Sequence, residues 1–151
     1  MAWLEHPKLS RTLRELASTD GYRKRCAESP PPLLVRGIRE FNTRKFFDCH
    51  ETLEELWRAE DDPIRYLYQG ILHVGVGYYH WERGNHHGAV TKLGSGIELL
   101  QFYRPRCQGV EIEPLLGTAL AARDALLELG KERMGDLDAS LVPEIVLSTE
   151  C

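Results

Sequence analysis

The chain has 151 residues, 42% of them apolar and 28% charged, the balance of one ordinary globular domain with a single substantial core. Its formal net charge of −4 leaves no electrostatic footprint for nucleic acid. No apolar run reaches the length of a membrane span, and the start, Met-Ala-Trp-Leu-Glu-His-Pro-Lys, lacks the layout of a signal peptide. Cys26, Cys49, Cys107 and Cys151 are irregularly spaced with no CxxC pair, which argues against a zinc ribbon or a disulfide framework and fits a reducing cytoplasm.

Helical signals follow one another along the chain. Leu4 to Ala17 is a modest amphipathic stretch, and Pro30-Pro31-Pro32 separates it from the body. Further helices are predicted over Leu33–Phe41, Lys45–Arg58, Ile64–Arg83, His86–Tyr103 and from Glu113 or Pro114 to Leu129, the last ended by Gly130. Asp61-Asp62-Pro63 is a helix start, and no stretch has the alternation that a strand needs. The tail from Met134, with Pro143, reads as extended or loosely packed coil. The expected organisation is an N-terminal arm over residues 1–29, a core over 33–130 and a tail over 131–151. The expected fold is all-α, a compact bundle of about five or six helices built from antiparallel hairpins.

The densest chemistry lies in Phe46-Phe47-Asp48-Cys49-His50-Glu51-Thr52-Leu53-Glu54-Glu55-Leu56-Trp57. At 100° per residue, Phe46, Cys49, Leu53, Leu56 and Trp57 share one face. His50 and Glu54 fall on its flank, and Glu51 and Glu55 point outward. The Ile64–Arg83 helix is apolar over most of its circumference, which makes it the central element. Gln69, His73 and His80 occupy its remaining narrow face. Short links favour antiparallel packing, so a polar seam of His50, Glu54, Gln69 and at least one of His73 and His80 is expected, with His50 and Glu54 largely buried. Gly70, Gly75 and Gly77 would allow close backbone approach. Arg44 to Cys49 also aligns with Gly84 to Ala89 at an offset of forty residues, a faint internal repeat.

These residues resemble a known family. Phe41-Asn42, the Phe46–Arg58 run, Tyr68-Gln69-Gly70-Ile71, Tyr79-His80 and Gly84-Asn85-His86-His87-Gly88-Ala89 are similar to the bacterial and archaeal "domain of unknown function 309" family. The resemblance covers about Phe41 to Leu93. Two departures stand out: Arg44 where the family prefers Gly, and Cys49 where it prefers Ala. The resemblance implies an all-helical fold and, since such proteins are sometimes described as predicted metal-dependent hydrolases, a small hydrolase using a divalent metal.

His50-Glu51-Thr52-Leu53-Glu54 is an H-E-x-x-E motif. In a hydrolase, His50, Glu54 and His80 would bind the metal, Glu51 would act as general base, and Gln69, Trp57 and His73 would line the site. The competing reading is a non-catalytic helical-hairpin module that binds a peptide or small molecule or forms a homo-oligomer, with His50 and Glu54 as structural hydrogen-bond partners. His86-His87 reads as a solvated turn. Cys49 and His50 diverge by 100° and make no catalytic dyad.

Overall fold

The computed structural model describes residue 11, residues 14–18 and residues 21–148. Five long helices carry the architecture: α1 (Pro32–Asn42), α2 (Phe46–Ala59), α3 (Arg65–Glu82), α4 (His86–Leu100) and α5 (Ile112–Arg133). The all-α expectation holds, and the helix limits fall within a few residues of those predicted. Most of the first predicted helix, including Trp3, Leu4 and Leu13, lies outside the described residues; residues 14–17 are helical and Leu16 is buried.

Local chemistry sets the limits. Pro32 opens α1 at a position whose N–H would lack a partner in any case. Asp62 Oδ1 accepts from the Ile64 amide at 2.9 Å just before α3. Asn85 caps α4 by accepting from the Gly88 amide, also at 2.9 Å. Gly130, at φ 73 and ψ 175, breaks α5 where the sequence placed its end.

The forty-residue repeat survives as a repeated turn. Arg44 after α1 and Gly84 after α3 both have left-handed backbones, at φ 61 and φ 73. In each turn the next amide reaches back five residues into the helix: Lys45 to the Glu40 carbonyl and Asn85 to that of His80, both at 2.8 Å. Glycine takes that conformation freely. Arg44 takes it at a cost of roughly 1 kcal/mol, at the position where the resembling family prefers Gly.

Helix α3 is the centre of the core, with Leu67, Tyr68, Ile71, Val74 and Tyr78 fully buried. On its α2 side the Phe46 ring stacks on Tyr78 at 5.9 Å, and Phe41 meets Phe46 edge-on at 5.2 Å. On its α4 side the helices approach through small residues. A Cβ on Gly77 would stand 2.8 Å from Leu93, and one on Gly70 2.7 Å from Leu100. The expected close approach is present.

Three expectations need correction. Cys26 and Cys107 form a disulfide across 81 residues of sequence. Their spacing carried no signal because the fold, and not the local chain, brings the short helix Lys24–Ala27 against the Cys107 strand. The argument for a reducing compartment therefore loses its support. Second, two short strands do form: β1 (Arg106–Cys107) and β2 (Val110–Glu111) pair antiparallel around Gln108 and Gly109, both left-handed at φ 47 and φ 78.

Third, the tail packs closely. Met134, Leu137 and Ile145 are buried, and Asn42 exchanges two hydrogen bonds with the Ile145 backbone. Tyr78 donates to the Leu141 carbonyl at 2.6 Å, and Trp81 donates to that of Met134 at 2.9 Å. The segment just before the prolines is likewise held to the body. Besides the disulfide, Tyr22 and Arg23 both donate to the Phe102 carbonyl, and Arg25 pairs with Glu60 at 2.9 Å. Among the described residues, no helix is long and apolar enough to cross a membrane.

Candidate functional site

The inner face of α2 is consumed by packing: Phe46, Cys49, Leu53 and Leu56 are buried. The polar motif residues are displaced to its rim. His50 Nε2 lies 3.0 Å from Glu54 Oε2, and their side chains are 36% and 28% exposed. Arg58 takes the other carboxylate oxygen. The result is a ladder of three side chains, each one turn from the next, along a single helix. His50 and Glu54 were expected to be largely buried, but α1 and α3 already occupy the apolar face, so both are half-exposed.

Glu51 and Glu55 are exposed on the same outer side. Phe47 is 53% exposed, with its ring centroid 6.4 Å from His50 and 5.9 Å from Tyr79. Phe47, His50, Glu51, Glu54, Glu55, Arg58 and Ala59 line a shallow concavity along the outside of α2.

The polar stripe of α3 is real, but its members find separate partners. His73 Nδ1 is 2.9 Å from Ser95 Oγ on α4. His80 Nδ1 is 3.4 Å from the Asn85 side chain, and a Cβ on Gly88 would stand 2.8 Å from the His80 ring. Gln69 is half-buried on the same helix. Trp57 is also half-buried, with the Arg65 guanidinium 4.6 Å from its ring centre, and its indole N–H has no acceptor among the described residues. His86 does not lie in a merely solvated turn: its Nε2 is 2.7 Å from the Leu126 carbonyl, tying α4 to α5. Sequence reasoning missed Ser95, which carries no motif and is found only through the α3–α4 register.

Burial pushes the His73 imidazole down to about 4, assisted by the nearby charges of Lys92 and His50. An unfolded histidine titrates near 6.5. Between these values the unfolded chain binds a proton that the folded chain refuses, so His73 destabilises the fold as pH falls through that window. Wild-type stability, measured by urea denaturation, should drop from pH 7 to 4.5 more steeply than that of His73→Gln. Parallel curves would show that His73 is not held neutral. Burial likewise raises the Cys49 thiol to about 12, which removes it as a nucleophile at neutral pH.

The donor set fits a metal poorly. Glu54 is engaged by His50 and Arg58, and His80 is paired elsewhere. Among the described residues, no group of three or more His, Cys, Asp or Glu side chains is arranged to hold an ion. A catalytic metal generally takes three protein ligands and keeps one position open.

A family model described as "Domain of unknown function (DUF309)" matches residues 34–91, from within α1 to the early turns of α4. The uncharacterized protein YpuF of Bacillus subtilis (strain 168) is 36% identical over 73 residues, which make up 47% of this chain and 42% of that protein. The chain thus matches less than half the length of this curated relative. No solved structure matches.

Proposed function

With residues 34–91 assigned to the DUF309 family, we propose that this chain is a non-catalytic helical-hairpin binding module in which His50 and Glu54 are structural partners. One observation carries the reading: both oxygens of Glu54 are taken by side chains of its own helix, on an open face. A general base or metal ligand needs an acceptor aimed at substrate or ion, within a cleft that sheds water. Glu51 is exposed, with no hydrogen-bonded partner among the described residues to hold it in place.

The test is metal content together with stability. Protein purified without an affinity tag, then titrated with Zn²⁺ and Mn²⁺ by calorimetry, should bind neither stoichiometrically through His50. Glu54→Ala should keep the fold and lose no more than about 1 kcal/mol, the scale of half-exposed ion pairs. Near-stoichiometric metal that disappears in His50→Ala would overturn this reading in favour of a metal-dependent hydrolase with Glu51 as base.

A further inference from the structure

The outer face of α2 combines two features that the ladder leaves unused. Glu51 and Glu55, one turn apart, make no ion pair among the described residues. Like charges at that spacing repel along a helix, by a few tenths of a kcal/mol. Within the same concavity, Arg58 is the one Lys or Arg side chain among the described residues, and it is already committed to Glu54. At its N-terminal end stands Phe47, an apolar ring more than half exposed. The face is therefore acidic along its length, with an aromatic anchor at one end.

Resting on the binding-module reading, we infer that this face docks a cationic amphipathic segment of a partner protein, with Lys or Arg against Glu51 and Glu55 and an apolar side chain against Phe47. Charge decides against a second copy of the chain as the occupant. Two α2 helices laid antiparallel would bring the Glu51 and Glu55 carboxylates of both copies together, and like charges juxtaposed at an interface are strongly unfavourable. A polyanion meets the same repulsion. A basic segment relieves it, and Phe47 supplies the desolvated aromatic contact that interfaces favour.

The probe is a synthetic amphipathic helix of about 16 residues built from Lys and Leu, long enough to hold helical structure on a surface. Its binding to the full chain is followed by fluorescence anisotropy. Phe47→Ser should weaken it about tenfold, as for loss of an anchor residue. The double variant Glu51→Gln/Glu55→Gln should weaken it similarly and flatten its salt dependence. Glu128→Gln/Glu132→Gln on α5 should leave it unchanged. All these positions are exposed, so the variants remain folded, which circular dichroism checks.

Absence of binding would overturn the inference. So would equal binding by all variants, or equal binding by a peptide whose Leu residues are replaced by Ala. A dimer in ultracentrifugation that Phe47→Ser abolishes would assign the face to a second copy instead. These failures leave the metal titration untouched, so loss of this inference and loss of the binding-module reading are separately visible.

Discussion

Reducing the Cys26–Cys107 bridge is expected to cost about 4 kcal/mol of stability and to lower the melting temperature by roughly 10 °C. The magnitude follows from the 81 residues that separate the two cysteines. Releasing so large a loop restores much conformational freedom to the unfolded chain. The folded state should persist, because other contacts hold the segment. The Gln108 amide donates to the Cys26 carbonyl at 2.7 Å, and the Gln108 side chain accepts from Tyr68 at 2.8 Å in the core. Thermal melts followed by circular dichroism, with and without a phosphine reductant and in Cys107→Ser, test this. The reduced wild type and Cys107→Ser should melt together, well below the oxidised protein. Melting of all three within a degree would mean that the bridge does not constrain the unfolded chain.

The helices were legible because their signals are local. Pro32, Asn85, Gly84 and Gly130 mark ends through their own backbone chemistry, and the apolar circumference of α3 announces a central helix. Residues that depend on long-range approach were not legible. Cys26 and Cys107 look unrelated in sequence, and Gln108-Gly109 lacks the Asn-Gly signature of a two-residue hairpin. The buried tail was obscured by its sparse apolar residues, which have no helical period. At the candidate site, helical geometry correctly paired His50 with Glu54. The seam failed as one unit because Ser95 of α4 engages His73, while Asn85, at the turn before α4, faces His80.

The packing of α3 on α4 makes the same chemical change, Gly to Ala, act in opposite directions at two positions. At Gly96 a Cβ would lie 2.7 Å from a Val74 methyl, 2.9 Å from the Gly70 carbonyl oxygen and 3.0 Å from the Val74 amide. Two of those three atoms are backbone, so no side-chain rotation makes room and the helices must separate. Overpacking of this kind costs about 1–3 kcal/mol, more than the roughly 1 kcal/mol that alanine gains in helix propensity. At Gly117 on α5 nothing lies within 4 Å, and alanine there keeps the whole gain. Gly96→Ala should therefore destabilise and Gly117→Ala stabilise the fold in urea denaturation, with similar slopes. His73→Gln should cost less in the Gly96→Ala background than in wild type, because helices forced apart have already weakened the His73–Ser95 contact that spans them. If Gly96→Ala proves as stabilising as Gly117→Ala, α3 and α4 are not in the close contact described, and the register that joins His73 to Ser95 falls with it.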